Sequence, residues 1–216
     1  MKPPMNDRNF FVFDFETGGL DARAHDPVQI AVQVLDAQNL KPLASFISYI
    51  KPDPSRITEA ALQVNNLTLE GLQEAPGPSE VVSNLINFLE PFGRGLFVAH
   101  NAKFDYDFLN ALVERHGSGV SVSKLVDHRI LCTIQMTFQK FVLAEQRLTK
   151  ISLSQLSEHF KIPHNPHEAF SDVLVAAELL RLCLRRPFWF RLARGIRLAF
   201  RNRDIGQVAR SLKQIF

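Results

Sequence analysis

The sequence predicts an α/β fold, a mixed sheet flanked by helices. Three observations predict it. Residues 9 to 17, NFFVFDFET, form a short apolar run bounded by polar NDRN and TGGLD; two more β-branched or alternating stretches follow; and beyond Pro76 strand-like and helix-like patterns alternate. A meander of strands that gives way to alternating strands and helices is the order expected of a layered mixed-sheet domain.

The first strand, NFFVFDFET, carries an anomaly. Side chains alternate across a strand, so Phe11, Phe13 and Phe15 share one face while Val12, Asp14 and Glu16 share the other. Two carboxylates therefore point into one small volume of a buried element. Ionised carboxylates are costly to desolvate and repel each other, so an Arg, a Lys or a divalent metal is expected between them.

A glycine-bearing turn, TGGLDARAHD, follows, and then residues 26 to 36 (DPVQIAVQVLD) and 42 to 52 (PLASFISYIKP) read as two strands that complete the meander. SEVVSNLINFLEPF places Val81, Val82, Leu85, Ile86 and Leu89 on one stripe, a helix with Ser79 as N-cap. GLFVAH is a short strand. NAKFDYDFLNALVERHG repeats Phe104, Phe108, Leu109, Leu112 and Val113 at helical spacing and ends on Gly117 as C-cap. KLVDHRILC reads as a fifth strand, TKISLSQLSEHFKI as a helix, and AFSDVLVAAELLRLCL as a long final helix.

At 216 residues the chain fits one domain with a C-terminal appendage, taken as residues 1–183 and 187–216. A composition of 46% hydrophobic and 22% charged residues argues against long disordered stretches. No signal peptide or stretch of roughly 20 apolar residues is apparent, so a cytoplasmic location is expected. Cys132 and Cys183 lack CxxC spacing and read as buried thiols, not a zinc site or disulfide.

The net charge of +3 conceals an asymmetry: from Arg181 onward ten Lys or Arg face only Asp204, whereas the preceding 180 residues hold 15 basic and 21 acidic side chains. Within PFWFRLARGIRLAFRNRD, Phe188, Trp189, Leu192, Ile196, Ala199 and Phe200 share one helical face and Arg194, Arg197 and Arg201 lie opposite. This basic amphipathic helix suits docking on the domain, a grip on nucleic acid, or attachment to a membrane surface or protein partner.

Two further stretches bring acids or histidines. Asp105, in VAHNAKFDYDF, falls where a strand gives way to a helix; alone, it and Asp107 read equally well as charges that stabilise a helix N-terminus. In IPHNPHEAFSDVLVAAELL, His167 precedes Asp172 by five residues. That separation is about 140° around a helix, so His167 is expected in the loop entering it and Asp172 in its first turns.

Together, FDFETGGLD, VAHNAKFDYDFL and HEAFSDVLVAAELL resemble, in order and spacing, the three motifs of the DEDDh exonucleases. These form the DnaQ-like branch of the ribonuclease H-like superfamily, which includes proofreading epsilon subunits. The resemblance runs from about Asn9 to Arg181 and extends to Lys51-Pro52, AALQVNNLT, ILCT and SLSQLSEHF. It implies a five-stranded mixed sheet with helices on both sides, and removal of nucleotides from a 3′ end as nucleoside 5′-monophosphates. Asp14, Glu16, Asp105 and Asp172 match the acids that bind two Mg²⁺ or Mn²⁺ ions, and His167 matches the general base. The sister group has a tyrosine where this chain has Glu168.

The chemistry is coherent with those roles. Paired divalent ions clamp the attacking and leaving oxygens of an in-line displacement, hard carboxylates suit Mg²⁺ or Mn²⁺, and an imidazole takes a proton near neutral pH. The chain departs from the family pattern at Phe15, expected to face away from the metals, at Gln29, and at Asn65-Asn66; the latter two bear on substrate positioning. Candidates for holding the terminal nucleotide are the backbone from Thr17 through Gly18 to Leu20, with Asn101 and Phe104. The expected partner is a nucleic-acid 3′ end, preferentially single-stranded, with a polymerase or another protein as a candidate associate. No polymerase-binding signature is readable, which favours a stand-alone or accessory enzyme; a catalytically silent nucleic-acid-binding or scaffold module on the same fold is the alternative.

Overall fold

The computed structural model describes residues 8–144, 148 and 150–184. Five strands, β1 (Phe10–Thr17), β2 (Pro27–Leu35), β3 (Pro42–Tyr49), β4 (Gly95–Ala99) and β5 (Val126–Cys132), form one sheet in the order β3-β2-β1-β4-β5. β1 pairs antiparallel with β2 and β2 with β3, whereas β4 runs parallel to β1 and β5 parallel to β4. The sheet is mixed, as the sequence predicts: loops over 18–26 and 36–41 join the meander, and the parallel strands are reached through helical connections.

The helices are α1 (Glu59–Val64), α2 (Pro78–Leu89), α3 (Ala102–His116), α4 (Val122–Leu125), α5 (Thr133–Thr137), α6 (Leu153–Phe160) and α7 (Ala169–Leu184), with a π-helical stretch over Phe138–Ala144. On one face of the sheet Phe11, Phe13 and Phe15 pack with Val81, Val82 and Leu85 of α2 and with Phe108, Leu109 and Leu112 of α3. The Phe13 and Phe97 rings stack with centroids 4.7 Å apart. On the other face Val12, Ala31 and Val98 pack with Ala169, Val173, Ala176 and Leu180 of α7. Alternation along β1 thus divides its side chains between two helical layers, which is why every residue of β2 beside it is buried.

Several local expectations shift. α2 begins at Pro78 with Gly77 as N-cap, so Ser79 lies inside the first turn and does not cap. Proline lacks an N–H and fits the first helical position, which moves the start ahead of the serine. Lys124 and Leu125 belong to α4, and β5 begins only at Val126. Helix α6 is confined to Leu153–Phe160. The two cysteines are half-buried free thiols. Gly117 does close α3: its N–H donates to the Val113 carbonyl at 2.8 Å, and a Cβ there would meet that oxygen at 2.5 Å. The amphipathic segment from residue 187 lies outside the described residues. Among the described residues no helix is long and apolar enough to cross a membrane.

Candidate active site

β1 delivers two of the acids. Asp14 lies opposite Ala31 and Glu16 opposite Gln29 in the antiparallel register, so both carboxylates occupy the sheet face that α7 covers. Asp172 sits in the first turn of α7. Asp14, Glu16 and Asp172 each offer an oxygen within 4.8 Å of the others.

Asp105 arrives from the opposite layer. Pairing of β1 with β4 runs only from Phe10 to Val12, and further along β1 the Phe15 backbone N–H acts to lower the Asp105 carboxyl. The aspartate is only 3% exposed, at the start of α3. Its charge acts on Asp14, although its oxygens lie outside the cluster of three. Phe15 turns into the phenylalanine layer, away from the acids, as its place in the alternation requires.

Burial drives the electrostatics. It holds the Asp14 carboxyl well above the usual carboxylate range, reinforced by the charges of Asp105, Asp172, Glu16 and Glu168. Burial, with Asp172 and Glu168, pushes Glu16 up to about 7. Asp105 is raised by burial against the pull of backbone N–H groups. Asp172 is raised by burial, while His164 and His167 act to lower it. Like charges packed this closely need a cation to be ionised together. The donor set of the cluster is all carboxylate oxygen, without thiolate or imidazole, and fits Mg²⁺ or Mn²⁺.

His167 occupies a turn ahead of α7, exposed and with φ +64°, a left-handed conformation uncommon for residues other than glycine. Glu168 caps the helix, its carboxylate accepting from the Ser171 N–H at 3.0 Å, and adds its charge to Asp14, Glu16 and Asp172. Gln29 also serves α7: its side-chain oxygen accepts from the Ala169 N–H at 3.1 Å. Sequence reasoning passed over His164, which contacts Asp172 directly at 2.6 Å. No periodicity flags a histidine eight residues ahead of an aspartate across a loop, so only the folded chain reveals the pairing.

The nucleotide-holding candidates separate. Leu20 is 87% exposed and borders two depressions. One, about 510 Å³, is lined by Thr17, Gly19, Thr58, Ala61, Val64 and Asn65; the other, about 500 Å³, by Arg23, Lys103, Phe104, Asp107 and Phe108. The Gly18 N–H is spent on the Asp26 carbonyl at 2.8 Å, so it shapes the loop and is not free to meet a substrate. Gly19 passes under the His25 ring, where a Cβ would come within 2.4 Å of it. Asn65 is buried and donates to the Thr17 carbonyl at 3.0 Å, tying the end of α1 to the end of β1. Asn101 is the exposed N-cap of α3, borders neither depression and makes no side-chain capping bond.

A family model described as RNase_T, exonuclease, matches residues 11–180. The chain is 29% identical over 177 residues to a PolC-type DNA polymerase III of Lactococcus lactis, covering 82% of this chain and 10% of the relative. It is 32% identical over 123 residues to the PolC-type enzyme of Staphylococcus aureus, covering 57% and 8%. It therefore spans a tenth or less of these relatives' length. Among solved structures, Escherichia coli exonuclease I in complex with a dT13 oligonucleotide superposes with a TM-score of 0.70 at 15% identity, over 85% of this chain and 43% of that one.

Proposed function

The chain belongs to this exonuclease family and is a hydrolase, and from that membership we propose that it removes nucleotides from the 3′ end of DNA or RNA, releasing nucleoside 5′-monophosphates. The observation that carries the proposal is the convergence of Asp14, Glu16 and Asp172, with the charge of Asp105 acting on Asp14, on a site where their carboxyls are held above their usual range.

We assign Asp14, Glu16, Asp105 and Asp172 to two divalent ions, Mg²⁺ or Mn²⁺. When bound, such ions supply positive charge for the attacking and leaving oxygens of the scissile phosphodiester. The chain's own residues do the rest. His167 accepts the proton of the attacking water; its turn precedes the Asp172 helix, and its exposure leaves the ring accessible to solvent. Leu20 and the Thr17-to-Asn65 depression offer an apolar seat for the terminal nucleoside, and Phe104 lines the neighbouring depression, where a second base would find a stacking surface. An extended single strand fits two shallow depressions side by side. The matched PolC-type relatives are polymerases, which makes a polymerase a candidate partner.

The test is incubation of 3′-labelled single-stranded DNA and RNA, in parallel, with Mg²⁺ or Mn²⁺. The expected result is release of the 3′ label as a mononucleotide, lost with EDTA and in Asp14→Ala and Glu16→Ala. Absence of degradation, or degradation that survives both substitutions, would leave a nucleic-acid-binding module as the reading.

A further inference from the structure

We propose that His164 is a positioning residue for the metal centre, holding Asp172 through a relay that begins on α6; the inference rests on the reading of Asp172 as a metal ligand. Three contacts make the relay. Ser157, on α6, has its hydroxyl 2.8 Å from the Ser154 carbonyl. Its oxygen lies 2.9 Å from His164 Nδ1, and His164 Nε2 lies 2.6 Å from Asp172 Oδ1.

Donor and acceptor accounting fixes the direction. An ionised carboxylate only accepts, so Nε2 carries the hydrogen that faces Asp172 when Asp172 is a ligand, and the Ser157 hydroxyl meets the ring at Nδ1. The imidazole is thereby anchored with Nε2 toward the carboxylate. Ser157 is 4% exposed and the His164 side chain 6% exposed, so neither group exchanges freely with water. Ser157 in turn is held by the packing of α6 on α7, where Leu156 meets Val175 and Leu179.

The consequence is a division of labour between two histidines of one loop. Both ring nitrogens of His164 are engaged, so it cannot take a proton from a water while it holds Asp172. His167 is exposed and free of that constraint. His164 occupies one oxygen of Asp172 and leaves the other for a cation, which removes the rotational freedom the carboxylate would otherwise lose on binding. Outer partners of metal ligands act in this way.

The experiment measures Mn²⁺ binding by titration calorimetry on the full chain and on H164A, H164Q, S157A and D14A. Hydrolysis of a labelled strand against Mn²⁺ concentration is followed in parallel. H164A is expected to weaken Mn²⁺ binding roughly 10- to 100-fold. H164Q, whose amide can donate where Nε2 does, is expected to recover most of that loss, and S157A to weaken binding by a smaller factor. Wild-type affinity in H164A, or an H164Q as weak as H164A, overturns the proposal. If H164A does not fold, S157A decides: it removes only a hydroxyl, and unchanged affinity there overturns the relay. A wild-type chain that binds no Mn²⁺ removes the metal-centre reading and this inference with it, whereas binding lost in D14A but intact in H164A sinks this inference alone.

Discussion

At the residue scale, the site is governed by what burial does to charge. The raised Glu16 carboxyl means that the metal-free folded protein binds a proton more tightly than the unfolded chain between the ordinary value of 4.5 and about 7. Its contribution to stability is therefore present below that window and lost as pH rises through it. Asp14, Asp105 and Asp172 act in the same sense. His100, pushed by burial down to about 4, acts in the opposite sense between 4 and 6.5. Glu16→Gln isolates the carboxylate: in EDTA, its thermal midpoint should fall less than that of the wild type between pH 5 and 8. An equal or steeper fall in the variant would contradict the shift. For His167→Ala, turnover should drop about 10²- to 10⁴-fold while Mn²⁺ affinity stays near wild type. A matching loss of metal affinity, read by calorimetry, would contradict the proposed role as base.

At the scale of elements, α7 decides how well the acids meet. Two acceptors hold its N-terminus: Gln29, reaching across from β2, and Glu168, from the preceding residue of the loop. The Ala169 N–H is buried, and an unpartnered buried donor costs about 1 to 3 kcal/mol. Gln29→Ala should lower stability by that amount in denaturant titration and weaken Mn²⁺ binding, because the helix it seats carries Asp172; an unchanged midpoint would show that water replaces the glutamine. The strands and long helices were legible in sequence because their apolar spacing matched period 2 or 3.6. Short elements were not: α1 and α4 have six and four residues, too few for a period to declare itself, and their ends are set by Thr58 and Ser121 side-chain caps.

At the scale of the molecule, the site lies where the two helical layers meet at one end of β1. Asp105 belongs to the layer on the phenylalanine face, Asp172 to the layer on the opposite face, and the sheet supplies Asp14 and Glu16. Cation binding should therefore tie the layers together. At a Mg²⁺ or Mn²⁺ concentration 100 times the dissociation constant, stability should rise by about 2.7 kcal/mol. For a chain of this size that is roughly 5 to 10 °C in the thermal midpoint, and Asp14→Ala should abolish the increase. No increase in the wild type would count against the metal centre.

The sequence by itself determined which face of β1 would be acidic, since strict alternation in a strand leaves no choice once Phe11, Phe13 and Phe15 claim the core. It also determined the order of the three motifs and the placement of His167 ahead of the last helix. Only the tertiary structure decided that Asp105 would stand apart from the cluster of three, that the Gly18 N–H would be spent within its own loop, and that His164 would contact Asp172. The physical reason is the same in each case: these are contacts between segments distant along the chain or joined by irregular loops. Their geometry follows from packing, and no periodicity encodes it.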